Sequence, residues 1–154
     1  MNNVFYYRSP LGTLRVTEEN DALVSAAFVD DAPETEPSAP ILTEAKAWLD
    51  RYFQGRDPGP VPKCSPKGTP FQKAVWTALL SVPYGKTTTY AGLAASMGFS
   101  ARHARAVGGA LHRNPLILFI PCHRVVGANG SLTGFAYGIE RKKALLESEQ
   151  HHIG

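Results

Sequence analysis

The string Pro121-Cys122-His123-Arg124-Val125 is the chain's clearest candidate for nucleophilic chemistry. A cysteine attacks only as its thiolate, a form that a neighbouring base or positive charge favours. His123 can take the proton, and a carboxylate from elsewhere in the chain would orient its imidazole. Adjacent residues in a strand point to opposite faces, so the two cooperate only where the backbone turns, and Pro121 gives a reason for a turn. The competing reading is a buried, inert cysteine beside a surface histidine. The second cysteine, Cys64, lies among prolines and lysines with no His or acid nearby, and reads as incidental. His151 and His152 form a short terminal pair to which no role is assigned.

The elements that must position this pair follow from the pattern of the rest. Cys122 comes directly after the apolar run Leu116 to Ile120, which reads as fully buried. At the start of the chain, Val4–Tyr7, the alternation around Leu14 and Val16, and Ala22–Val29 are three short strands. Turn signals at Ser9-Pro10-Leu11-Gly12 and Asn20-Asp21 join them into an antiparallel meander. Residues 30–40 are acidic with three prolines, a solvated loop. A helix follows with Ile41, Ala45, Trp48, Leu49, Tyr52 and Phe53 on one face, and Gly55 ends it. Five prolines between 57 and 70 mark a second linker. Thr69, Pro70 and Gln72 then spell a capping box for a helix with Phe71, Val75, Ala78, Leu79 and Val82 on one face. A short helix from Tyr90 to Met97, capped by Thr89 or a neighbouring Thr, is closed by Gly98. Another starts at a Ser100 cap and runs to about His112, where Asn114-Pro115 stops it. Joined through Gly98-Phe99, the two resemble a helix-turn-helix. The second carries Arg102, His103 and Arg105, then small residues that would let its backbone approach either DNA or another helix. A last helix spans about Ile139 to Gln150. The expected fold is α/β in two lobes. Residues 1–57 form a small antiparallel sheet with a helix, 58–68 a linker, and 69–154 a mostly helical, winged-helix-like lobe with the helix-turn-helix.

Composition narrows the function. Of 154 residues, 44% are hydrophobic and 19% charged, which argues against wholesale disorder, and two cysteines cannot make a disulfide-rich scaffold. The opening MNNVFYYRSP lacks the basic start and apolar core of a signal peptide, and no apolar run approaches the roughly 20 residues of a membrane helix. The expectation is a cytoplasmic protein, or a nuclear one in a eukaryote, with no membrane partner. The net charge of +3 is unevenly spread. Residues 1–57 hold ten acids against five Lys/Arg, whereas residues 58–139 hold eight Lys/Arg and no acid. An acid-free stretch of that length suits a polyanion such as nucleic acid.

IPCHRV (Ile120 to Val125) after Asn114-Pro115, with VPYGKTTTY (Val82 to Tyr90), ARAVGGA (Ala104 to Ala110) and GFAYGIERKKALLESE (Gly134 to Glu149), resembles the O6-alkylguanine-DNA alkyltransferases. The likeness is strong over about residues 69–150. It implies direct-reversal DNA repair: an alkyl group moves from O6-alkylguanine, and O4-alkylthymine, in double-stranded DNA to Cys122. The thioether product has no carbonyl for water to attack, so the protein acts once, as a methylated-DNA–protein-cysteine S-methyltransferase without cofactor or metal. Some members carry an N-terminal zinc site, but residues 1–60 contain no Cys or His, so none is expected here.

The resemblance also implies roles. His123 is the base, relayed through water, and Glu149 the orienting acid, with Glu147 as the alternative. Asn114 braces the turn around the nucleophile, and Tyr90 hydrogen-bonds the flipped base and can donate a proton. Val125, Phe135, Ala136 and Tyr137 belong to the substrate pocket. Two of these depart from a common pattern: Ala136 stands where a Ser is frequent, leaving only its backbone N–H, and Tyr137 stands where Gly is frequent. Arg105 matches the residue that fills the space left by the flipped base. Ser100, Arg102, Ala104, Ala106 and Gly108 match the helix that the family places in the minor groove. A monomer is expected. Two other classes remain in view: a damage-sensing binder, whose known relatives lack the cysteine, and a cysteine hydrolase, which would need an oxyanion hole.

Overall fold

A computed structural model of the chain describes residues 2–132 and 134–151, so His152 lies outside the described residues. The chain divides into two compact units, one of residues 1–67 with 115–119, the other of residues 68–114 with 120–154.

The first unit is built on the meander. Strands β1 (Asn2–Ser9), β2 (Gly12–Glu19) and β3 (Ala22–Val29) pair antiparallel in sequence order. Both turns follow from local chemistry. Ser9 Oγ accepts from Leu11 N and donates to the Gly12 carbonyl at 2.6 Å. Asn20 and Asp21 both take left-handed φ values, 53° and 61°, the geometry of a two-residue hairpin turn and one that Asn and Asp tolerate. Register places Phe5 opposite Val16 and Tyr7 opposite Leu14, and one face of the sheet is buried. Helix α1 (Pro40–Phe53) packs on the sheet through Leu42, Ala45, Trp48, Leu49 and Tyr52. Leu42 holds the place expected for Ile41, one residue out of register at the helix start. Phe53 is half-buried and stacks on Tyr7.

The proline-rich stretch before residue 68, expected as a linker, is strapped to the sheet. Leu23 N donates to Lys63 O and Ser65 N to Leu23 O, both at 2.8 Å, and Trp48 Nε1 donates to Gly59 O. Prolines suit this task because they need no ladder partner of their own. Residues 115–119 also belong to this unit. Ala26 N donates to Pro115 O and Ile117 N to Ala26 O, and Phe119 packs on Trp48 with ring centroids 4.8 Å apart. All four residues from Leu116 to Phe119 are at most 2% exposed. Leu118 is held at φ 72°, a costly conformation for a bulky side chain that only tight surrounding packing sustains.

Among the described residues, the second unit holds the α-helices α2 (Pro70–Leu79), α3 (Tyr90–Ser96), α4 (Ala104–His112) and α5 (Ile139–His151). Thr69 and Gln72 complete the capping box, and Thr89 caps α3 by accepting from Gly92 N at 2.9 Å. The segment after Ser100 opens as a 3-10 turn, Ala101–His103, before α4 begins. Trp76 Nε1 donates to Ala110 O at 2.9 Å, pinning α2 to α4. Phe99 stacks between Phe71 and His103, which anchors the turn between α3 and α4. A parallel pair of two-residue strands, β4 (Thr88–Thr89) and β5 (Val125–Val126), joins the entry of α3 to the segment just after Cys122. Among the described residues, no helix is long and apolar enough to cross a membrane.

The capping box gives a direct check. Thr69→Ala removes one side-chain acceptor and leaves Gln72 without its reciprocal partner, so it should lower stability by about 1 kcal/mol in chemical denaturation. An unchanged midpoint would mean that packing alone holds the start of α2.

Candidate active site

Pro121 takes φ −82°, ψ 63°, and Cys122–Arg124 then form one 3-10 turn, with Cys122 N donating to Ile120 O and Arg124 N to Pro121 O. This is the turn that Cys122 and His123 need in order to act together. All three residues of the turn are buried. Cys122 keeps 8% of its surface exposed and His123 none.

The acid comes from α5. Lys142, Leu145 and Glu149 recur at spacings of three and four, lie on one face of that helix and are each at most 1% exposed. Glu149 Oε2 lies 2.6 Å from His123 Nε2, while Oε1 accepts from Arg124 Nε at 2.8 Å and Gly85 N at 3.0 Å. Glu147 is exposed and sits 4.0 Å from Lys143, so geometry selects Glu149 of the two acids. Arg124 reaches further, donating from Nη1 to Val82 O at 2.9 Å, with its guanidinium carbon 5.8 Å from the centre of the Tyr84 ring. Gln150 Nε2 donates to Gly85 O. Gly85 has φ 80°, the conformation that lets this turn present both its N–H and its C=O to α5. Asn114 Nδ2 donates to Ile120 O at 2.9 Å, bracing the approach to the turn, and the Asn114 side chain also hydrogen-bonds Cys122.

Electrostatics follow from burial. Desolvation raises the Cys122 thiol above its ordinary value, while the Asn114 hydrogen bond and the Lys142 charge pull it down. Desolvation also lowers His123 below 6.5, against the hydrogen bond and charge of Glu149, so the imidazole rests neutral at pH 7. Burial alone would raise the Glu149 carboxyl, but the hydrogen bond and charge of His123 and then the Arg124 guanidinium overcome it and hold the group at about 2. Lys142, a buried ammonium, is itself lowered by desolvation. Cys64 differs: burial alone pushes it up to about 12, and its thiol donates to Pro62 O.

A second feature lies on α3 and α4. Tyr90, Ala104, Arg105, Gly108, His112 and Gly134 line an open cavity of about 470 Å³. Gly134 has φ 69°, and a Cβ there would stand 2.8 Å from the Tyr90 hydroxyl oxygen, so only glycine fits so close to that ring. Ala106 on α4, and Ser100 and Arg102 before it, are exposed without lining the cavity. Val125 is fully buried in β5. Phe135 and Tyr137 are half-buried with their rings edge to face, and Ala136 is exposed between them. Four participants escaped the reading of the residues: Arg124, Lys142, Gly85 and His112. The spacing of Lys142 from Glu149 was the signal available for one of them. Among the described residues, no group of three or more His, Cys, Asp or Glu could hold a metal ion.

Glu149→Gln leaves Arg124 buried without its counter-charge, so it should cost about 3 kcal/mol at pH 7. The carboxyl titrates at about 2 folded against 4.5 unfolded. Its contribution is therefore complete above 4.5 and falls as the pH drops towards 2. Denaturation at pH 7 and pH 3 should show the gap between wild type and variant narrowing in acid; an unchanged gap would contradict the ionised pair.

Comparison with known proteins agrees in both units. Residues 70–151 match the 6-O-methylguanine DNA methyltransferase DNA binding domain, and residues 4–58 match the ribonuclease-like domain of the same methyltransferases. The methylated-DNA–protein-cysteine methyltransferase of Methanosarcina acetivorans is 38% identical over 149 residues, covering 93% of this chain and 95% of that protein. The constitutive Bacillus subtilis protein of that name is 41% identical over 155 residues, covering 95% and 93%. Among solved structures, Mycobacterium tuberculosis O6-methylguanine methyltransferase superposes with a TM-score of 0.85 at 36% identity, over 99% of this chain and 94% of that one. The M. tuberculosis protein OGT in complex with DNA gives 0.86 at 38%, over 96% and 92%. The chain belongs to the 6-O-methylguanine DNA methyltransferase family.

Proposed function

We propose that the chain repairs DNA by moving a methyl or larger alkyl group from O6-alkylguanine, and from O4-alkylthymine, in duplex DNA onto Cys122. The observation that carries this reading is the joining of Cys122, His123 and Glu149 within one buried turn-and-helix cluster. Glu149 fixes His123 through Nε2, which leaves Nδ1 as the nitrogen that takes the thiol proton, directly or through water. Asn114 and the Lys142 charge favour the thiolate. The sulfur then forms a bond to the alkyl carbon as the carbon–O6 bond breaks, and its electron pair leaves with guanine. Tyr90 supplies a hydrogen bond or proton to that departing base. A thioether gives water nothing to attack, so one protein molecule repairs one lesion, and this displacement needs no metal or cofactor.

The lesion must leave the base stack to reach a buried sulfur. Arg105, exposed on α4 at the rim of the cavity that Tyr90 and Gly108 line, is placed to fill the vacated space in the minor groove. The small residues Ala104, Ala106 and Gly108 admit close approach of the helix. The flanking Ser100 and Arg102 face phosphates. Phe135, Ala136, Tyr137 and Val125 shape the substrate pocket, and the bulky Tyr137 narrows it. The protein works as a monomer in the cytoplasm, or in the nucleus of a eukaryote.

Intact mass and peptide mapping after mixing with a duplex that carries one O6-methylguanine should show one added methyl, on Cys122, stopping at one equivalent. Methyl on Cys64 would overturn the site, and unmodified protein still bound to the lesion would make the chain a damage-sensing binder. Arg105→Ala should slow transfer from duplex DNA by about tenfold or more while leaving transfer from the free base unchanged, since flipping costs a few kcal/mol. Equal slowing on both substrates would move Arg105 from flipping to chemistry.

A further inference from the structure

The Arg124 side chain touches both the acid of the cluster and the turn leading to Tyr90. Its Nε donates to Glu149 Oε1 and its Nη1 to Val82 O, and it lies over the Tyr84 ring. The same turn closes on α5 a second time, where Gly85 N donates to Glu149 Oε1 and Gln150 Nε2 donates to Gly85 O. Beyond it the chain runs through β4 into Tyr90 at the start of α3. Occupying Oε1 with two donors leaves Oε2 as the oxygen that addresses His123. We propose that Arg124 is a positioning residue that locks the Glu149 carboxylate to the Val82–Gly85 turn and holds the resting His123 imidazole ready to accept the proton of Cys122.

Competing charges surround His123, and their effect on transfer rests on the reading of Cys122 and His123 as nucleophile and base. The charged groups acting on His123 are Glu149 and Lys142 from α5 and Arg124 from its own turn, in which Cys122 precedes it. A carboxylate beside an imidazolium can compete for the proton. A guanidinium on its other oxygen makes the carboxylate a poor base, so it orients and stabilises the imidazolium without discharging it. The guanidinium also repels a charged His123, which keeps the resting imidazole neutral and able to accept. Arginine suits this position because its planar fork makes two directed bonds at once, whereas a lysine ammonium is a point charge.

The test compares Arg124→Met and Arg124→Lys with wild type by single-turnover methyl transfer across pH, and by NMR titration of the His123 ring in each protein. Without the guanidinium, His123 protonates more easily, so in Arg124→Met both the ring titration and the acid limb of the rate profile should move up by about one pH unit. Arg124→Lys keeps the charge and loses one of the two bonds. It should leave the acid limb in place and transfer about tenfold more slowly at its plateau. The ring titration reads the Arg124 effect even if no methyl reaches Cys122, so failure of the proposed function and failure of this inference are separable. A ring titration and acid limb unchanged in Arg124→Met would overturn the proposal. If Arg124→Met does not fold, Arg124→Lys decides: a wild-type plateau rate overturns it, and a slowed plateau with an unmoved limb upholds it.

Discussion

A carboxylate removed from water has to be compensated, and Glu149, with 1% of its side chain exposed, is compensated three times: by His123, by Arg124 and by the Gly85 amide. The partners come from two separate parts of the second unit's sequence. The Cys122–Arg124 turn supplies two, the Val82–Gly85 turn the third, and α5 brings the acid to them. Satisfying one buried charge therefore fixes the relative placement of His123, the segment that leads to Tyr90, and the last helix. The cluster itself is withdrawn from water, with His123 fully buried and Arg124 7% exposed, so water does little to screen those contacts.

The same constraint explains the resting state. A neutral imidazole next to a buried thiol is poised but not ionised, because burial opposes charge on both. Lys142 and Asn114 offset part of that cost at the sulfur alone. Ionisation of the pair is thus conditional on small changes in local polarity. Cys64 shows the contrast. It is buried enough to be held at about 12, with no cation among the causes of its shift, and it stays a thiol.

Much of the fold was legible because its signals are local. The Thr69–Gln72 box, the Thr89 cap and the Asn20-Asp21 turn each lie within four residues of what they organise. Where those signals thin out, register slips, as at the start of α1, where Leu42 is buried and Ile41 is not. The candidate site divides along the same line. Cys122 and His123 stand out as a pair. Glu149 could be narrowed to one of two acids, and only the face shared by Lys142, Leu145 and Glu149 separates them. Lys142 escaped because lysines on a charged helix read as solvated. Gly85 escaped because a backbone amide 64 residues away from its acceptor leaves no trace in residue type. Arg124 was in plain view inside the motif, but nothing in spacing tells which carboxylate an arginine will meet.

The chain's path through its two units has a consequence of its own. Residues 115–119 are threaded into the sheet-bearing unit, yet they sit between Asn114, which braces the catalytic turn, and Ile120, whose carbonyl that brace grips. A fragment cut at the boundary before α2 would keep every residue of the cluster and lose the sheet that buries Leu116, Ile117, Leu118 and Phe119. Four large apolar side chains would then hang, solvated and sticky, between the brace and the nucleophile. The two units are not separable as pieces of chain. An insertion or a circular break would be tolerated at the exposed 30–40 loop long before one at residue 68.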